Sequence, residues 1–128
     1  MRAALVALCA SSALFVAACG DGPPSSSGPA AAGPPIGAID TSGKADVTVQ
    51  QVAPQKFNPA TATSKVGQVV EWKNADQVTH NVTFKGHDDL SSPSMDAGKT
   101  HAVKFTVAGK YDYSCTIHPG MDGTITVT

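Results

Sequence analysis

Charge is scarce in this chain: its 128 residues carry 9 Lys and Arg against 10 Asp and Glu, a formal net charge of -1. Non-specific affinity for nucleic acid comes from many cations facing phosphates, so a nucleic-acid binder driven by a basic surface is excluded, and so is a polybasic membrane patch. Cysteine is scarce and odd in number, with Cys9, Cys19 and Cys115, which excludes a simple closed disulfide framework. The longest apolar run, Ala3 to Ala18, is too short for a stable membrane span. No extended stretch beyond it repeats with the helical period. Methionine is confined to Met95 and Met121 after the initiator. The length allows one ordinary domain and leaves no room for a multidomain enzyme.

The beginning of the chain reads as an export signal over residues 1–18. Arg2 supplies the positive charge, and Leu5, Val6, Leu8, Leu14, Phe15 and Val16 supply the apolar stretch. It ends in Val16-Ala17-Ala18-Cys19, which resembles the lipobox of bacterial lipoproteins. That resemblance implies a diacylglyceryl group on the Cys19 sulfur, cleavage just before Cys19, and acylation of the new amino group. Several acyl chains anchor what one cannot. The alternative is an ordinary cleaved secretory signal with Cys19 incidental. Cys9 is discarded with the signal in either case. Residues 19–44 then form a tether: 19 of the 25 residues from Gly20 to Lys44 are Gly, Pro, Ser or Ala. Such a composition buries too little apolar surface to offset ordering entropy, so disorder is expected, with a reach of roughly 25–30 Å.

Residues 45–128 alternate with period two. Val47 and Val49, Val70 and Trp72, Val103, Phe105 and Val107, and Ile125 and Val127 each share a face with polar residues between. His80 shares one with Val82 and Phe84, and Tyr111 and Tyr113 share one with Cys115. Turn signals separate the runs, as at Asn74-Ala75-Asp76, Ser91-Ser92-Pro93 and Ala97-Gly98-Lys99. Several short strands with one wet and one dry face predict an all-β sandwich. Trp72, Phe84, Phe105 and Met95 are expected in its core.

The mature chain retains Cys115 as a lone thiol, which invites oxidation in an exported protein unless it is buried or occupied. Two further metal donors follow it closely, in the string Cys115-Thr116-Ile117-His118-Pro119-Gly120-Met121. A short loop before the last strand can wrap these three side chains around one ion. A fourth donor must point inward from elsewhere, and His80 does. Two imidazoles, a thiolate and a thioether select copper: soft sulfur suits Cu(I), imidazole accepts Cu(II), and His2Cys with a weak axial Met is the arrangement of electron-transfer copper. Zinc prefers four strong donors, and Mg or Ca would want oxygens that this loop lacks. His87 is expected exposed in a polar loop, and His101 as a surface or cross-strand partner. A weak second site using His87, Asp88 and Asp89 is conceivable, although that acidic pair reads more simply as a solvated loop.

Residues 57–128 resemble the cupredoxins, the small type 1 blue copper proteins, close to the amicyanin and plastocyanin group. The resemblance lies in Phe57-Asn58-Pro59, in Val66 to Asn74, in Thr79-His80-Asn81-Val82, and in Gly109 to Met121. It implies a Greek-key sandwich of about seven to eight strands. It implies His80, Cys115, His118 and Met121 as copper ligands, with His118 and Met121 at the short amicyanin spacing. It also implies that Asn81, through backbone or side chain, steadies the thiolate and its loop. Ile117 departs from the pattern, since many relatives carry proline there.

The function so implied is one-electron transfer by a single copper cycling between Cu(II) and Cu(I), in an exported, lipid-anchored monomer. Donor and acceptor redox proteins would dock briefly near His118, in the periplasm or otherwise outside the cytoplasm. A copper storage or delivery protein of the envelope is the alternative, and a metal-free adhesion sandwich is a third. Enzymes with additional coppers place histidines beside the type 1 cysteine; here Ser114 and Thr116 flank Cys115.

Overall fold

The computed structural model describes residues 35–128. The expected signal, Cys9, Cys19 and the tether as far as residue 34 lie outside the described residues.

Nine strands form two sheets. They are β1 (Gly37–Ile39), β2 (Val47–Val52), β3 (Lys56–Asn58), β4 (Thr61–Ser64), β5 (Val69–Asn74), β6 (Thr83–Phe84), β7 (Thr100–Phe105), β8 (Gly109–Ser114) and β9 (Asp122–Val127). One sheet has the order β1-β7-β5-β2-β3 and the other β4-β9-β8-β6. The expected sandwich is therefore present, with short strands such as β1 and β3 raising the count above seven to eight. Two of the strand pairs are parallel, β2 with β5 and β4 with β9, and the rest are antiparallel. Alternation marks a half-buried strand whatever its partner's direction. The chain leaves the first sheet through β4 and returns through β5, which brings β5 beside β2 in the same direction.

The inward faces meet around Trp72, which is fully buried and stands edge-on to Phe84 at 5.3 Å and to Tyr113 at 5.2 Å between ring centroids. Such edge-to-face pairs contribute beyond the area they bury. Tyr113 crosses its register partner Gly123 in β9, where any Cβ would run into the phenol ring. Burial pushes the Tyr113 phenol up to about 12, and the Trp72 indole N–H pulls slightly the other way without reaching hydrogen-bond geometry.

Three expectations are corrected. Strand β1 falls inside the stretch expected as tether: Gly37, Ala38 and Ile39 pair with Phe105, Lys104 and Val103. The low-complexity composition hid a strand because pairing to the β7 edge satisfies backbone groups regardless of side chain. Val107 does not continue the buried face, since β7 ends at Phe105 and Val107 is 40% exposed. His80 lies outside any strand and makes an isolated bridge with Met95, ahead of the two-residue β6. Of the two readings of His101 the cross-strand one holds: it is buried across from Trp72, and its Nε2 lies 2.7 Å from the Leu90 carbonyl oxygen. Met95 is in the core as expected. His87 is half-buried and stands edge-on to Tyr111 at 5.7 Å.

Candidate metal centre

The site forms where β5 and β8 end and β9 begins. Tyr111, Tyr113 and Cys115 face inward in turn, so the period of β8 carries Cys115 into the interior just past the strand's last residue. The chain then reverses within six residues. The Cys115 amide donates to the Met121 carbonyl (2.9 Å) and the Met121 amide to the His118 carbonyl (3.3 Å). Gly120, with φ +84°, supplies the left-handed residue that this reversal needs.

His80 arrives on a separate segment. Its amide donates to the Met95 carbonyl (3.0 Å) and its carbonyl accepts from the Met95 amide (2.7 Å). This reciprocal pair fixes the backbone that carries the ring, and the residue is 0% exposed.

Three donor atoms converge: Cys115 Sγ lies 3.8 Å from His80 Nδ1 and 3.7 Å from His118 Nδ1, and the two Nδ1 atoms are 3.0 Å apart. It is the one cluster of at least three His, Cys, Asp or Glu donors among the described residues. His87, Asp88 and Asp89 do not converge; Asp88 and Asp89 open a short 3-10 turn (Asp88–Leu90). Three bonds of about 2.0–2.3 Å from one ion to donors in a plane span edges of about 3.5–3.8 Å. The sulfur edges match that triangle, and the nitrogen edge, at 3.0 Å, is about half an ångström shorter. Met121 is buried at 2% exposure, and its peptide groups close the loop on both sides of the cluster. The residues present therefore fit a small, soft-to-borderline ion. Cys115 is a free, buried thiol, at 3% exposure. Only His118 of the four is half-exposed.

Asn81 acts as a clamp. Its amide points at Cys115 Sγ (3.5 Å), its Oδ1 accepts from the Thr116 amide (2.8 Å), and its Nδ2 donates to Thr116 Oγ1 (2.7 Å). Gln51, fully buried in β2, donates from Nε2 to the Asn81 carbonyl (3.1 Å). A hydrogen bond to the sulfur draws off electron density, and the side-chain pair ties the two ligand-bearing segments together.

Sequence reasoning passed over two contributors. Asn74 and Asp76 read simply as turn residues. Asn74 is fully buried, and its Nδ2 donates to both the Val78 and Met95 carbonyls (2.8 Å each). Asp76 Oδ2 lies 3.3 Å from His80 Nε2. The Gln77 amide donated to Asp76 holds its carboxyl below the usual carboxylate range, with His80 acting in the same direction. A signal was available at Asp76: it lies four residues before His80, in a segment too short to let the two drift apart.

Residues 44–128 match the model of the copper binding proteins of the plastocyanin/azurin family. The chain is 37% identical over 84 residues to amicyanin-alpha of Methylorubrum extorquens, across 62% of this chain and 71% of that protein. It is 36% identical over 97 residues to amicyanin of Paracoccus versutus, across 73% and 72% of the two chains. With plastocyanin of Scenedesmus fuscus the identity is 35% over 97 residues, across 64% and 99%. Among solved structures, a reduced mutant of amicyanin matches with a TM-score of 0.65 at 31% identity, over 73% of this chain and all of that one. The Cu(I) form of another amicyanin mutant matches with a TM-score of 0.65 at 32% identity, over the same 73% and 100%.

Proposed function

The chain belongs to the plastocyanin/azurin family of copper-binding proteins, and from that premise we propose that it carries single electrons between redox proteins outside the cytoplasm. Its cofactor is copper, and it is a carrier and not an enzyme. Copper supplies the two oxidation states, Cu(II) and Cu(I), between which one electron is stored. The residues proposed to hold it are His80, Cys115, His118 and Met121, with Met121 as the weak axial donor.

The observation that carries this reading is the convergence of His80 Nδ1, His118 Nδ1 and Cys115 Sγ within 4.8 Å of one another. A carrier needs a geometry that changes little between oxidation states. The paired backbone bonds of His80 to Met95 and the Asn81 clamp on Thr116 hold two ligand segments to one another before any ion enters. Cys115 would bind as the thiolate, and the Asn81 amide directed at its sulfur draws off part of its electron density. Water is kept from three of the four side chains by burial.

Exchange with partners is assigned to His118. Pro119 and Gly120 beside it are exposed, as are Ile117 at 42% and, two residues before His80, Val78 at 45%. A small apolar rim around a half-exposed imidazole suits brief docking, where a large interface would slow release. Copper delivery is the second reading. The depth of His80 and Cys115 favours the carrier, because handing over an ion requires a partner's ligands to reach it.

Cys19 is proposed as a lipid attachment site, residues 1–18 as the removed signal, and the extracytoplasmic face of a bacterial membrane as the location. The support is the lipobox-like Val16-Ala17-Ala18-Cys19. Release of the Cys19→Ser protein into the soluble fraction is expected, and an unchanged membrane fraction would sink the anchor. The copper reading is tested by adding Cu(II) to the purified metal-free protein. An intense visible thiolate-to-copper band should appear at once and be absent in Cys115→Ser. A colourless product from the parent protein would overturn it.

A further inference from the structure

We propose that Asp76 is a positioning residue for the metal centre: it holds the proton of His80 on Nε2, so that Nδ1 is free toward Cys115 and His118, and its negative charge favours Cu(II) over Cu(I). This extends the copper reading above and rests on it.

His80 has two faces with unlike company. Nδ1 looks into the donor cluster, 3.8 Å from Cys115 Sγ and 3.0 Å from His118 Nδ1. Nε2 looks the opposite way, 3.3 Å from Asp76 Oδ2. A neutral imidazole carries one proton, and an ionised carboxylate can only accept. The pair is therefore satisfied in one way, with the proton on Nε2 and the lone pair on Nδ1.

Asp76 is itself held in place. Its amide donates to Asn74 Oδ1 (2.9 Å), and its Oδ1 accepts from the Gln77 amide (2.7 Å), which leaves Oδ2 for His80. Asn74 is fixed in turn by its amide bond to the Lys99 carbonyl (2.8 Å) and by its Nδ2 bonds to Val78 and Met95. The chain of support runs from the β5 terminus through Asn74 and Asp76 to the imidazole. The Asp76 side chain is 11% exposed, so water screens its charge only in part. His118 has no such partner: among the described residues its ring makes hydrogen-bond contacts through Nδ1 alone, with Cys115 and His80. The two imidazoles are thus unequal, one locked and carrying an adjacent anion, the other unattended.

The charge has a direction of effect. An anion one imidazole ring away from the donor cluster interacts more favourably with the dipositive ion than with the monopositive one. Over roughly 7 Å at an effective dielectric constant of about 40, that preference is about tenfold in equilibrium constant.

The test uses the full-length protein and three variants. In the metal-free parent, nitrogen-15 shifts should report His80 as the Nε2–H tautomer; an Nδ1–H tautomer overturns the proposal without any substitution. In Asp76→Ala the tautomers should mix. Copper-loaded Asp76→Asn, which keeps the side-chain shape and the turn, should retain its visible band while its preference for Cu(I) rises about tenfold, read as a higher reduction potential. Asp76→Glu should stay nearer the parent potential than Asp76→Asn. A parent-like potential in Asp76→Asn, with the band intact in both proteins, overturns the role of Asp76 and leaves the copper site standing. Failure of the parent itself to develop the band would instead count against the copper reading.

Discussion

The two segments that bring imidazoles together are built in opposite ways. Residues 74–81 are held by side chains reaching into other elements: Asn74 to Met95, Gln51 to Asn81, and the paired backbone bonds of His80 to Met95. Residues 115–121 close mainly on themselves, through the Cys115–Met121 and Met121–His118 backbone bonds, with the Asn81–Thr116 pair as the outside tie. The first segment buries its histidine completely and the second leaves its histidine half-exposed. One is a wall and the other a window. An electron carrier needs both, because ligand positions fixed in advance lower the cost of changing oxidation state, while transfer needs one ligand edge within reach of a partner. The division of labour means that rigidity and access can be altered separately by substitution.

The comparison yields outcomes of decreasing size. The largest belongs to the wall: Asn74→Ala takes away the Nδ2 donor shared by two carbonyls, leaving Val78 without its partner and Met95 with the His80 amide alone, at a cost of about 2–3 kcal/mol in the metal-free protein. Urea unfolding measures this. Pro119→Ala in the window should move the same midpoint by no more than about 0.5 kcal/mol. Equal losses from both would erase the distinction.

Asn81→Ala, which cuts the tie between wall and window, should cost about 1–2 kcal/mol and shift the visible band, since the Thr116 amide loses its acceptor. An unaltered spectrum and midpoint would mean that Asn81 joins nothing.

A smaller effect concerns pH and lies away from the centre. Desolvation lowers the pKa of buried His101, against a smaller opposing contribution from the Leu90 carbonyl. Above the ordinary histidine value near 6.5 both folded and unfolded states hold the ring neutral, and no stability is at stake. Below it the unfolded chain takes up the proton first, so metal-free stability should fall as pH drops from about 6.5 toward the lower folded value. His101→Gln should flatten that slope. A slope that survives the substitution assigns the dependence to other groups.

The smallest expected effect is at the rim. Ile117→Ser should leave the copper spectrum and potential unchanged and slow the bimolecular reaction with a redox partner by less than tenfold. Stopped-flow reduction at fixed ionic strength would show it, and a change in the spectrum would place Ile117 in the centre and not on the rim.

The window was the more legible of the two in the sequence. Cys115, His118 and Met121 lie within seven residues, so their spacing alone confines their donor atoms to a small volume. His80 was legible from its phase with Val82 and Phe84, although the local structure is a bridge to Met95 and only Thr83–Phe84 pairs as a strand. The wall was hidden. Asn74 and Asp76 match turn chemistry so well that their composition gives no reason to look further. The other bonds of Asn74 run to Met95 and Lys99, more than twenty residues away, while Asp76 bonds only within its own segment, to Asn74, Gln77 and His80. The strand β1 was hidden for a related reason, because an edge pairing made by backbone groups leaves little trace in side-chain pattern.

Donor chemistry and alternation were therefore decided locally: which side chains can bind a soft ion, and which strand faces are dry, follow from residue type and the two-residue period. Inequality between the two imidazoles was decided only in three dimensions. Spacing keeps Asp76 near His80, but which ring nitrogen meets the carboxylate and which meets the donor cluster depends on the distant backbone of Met95 against which the segment is laid, and spacing carries no information about that.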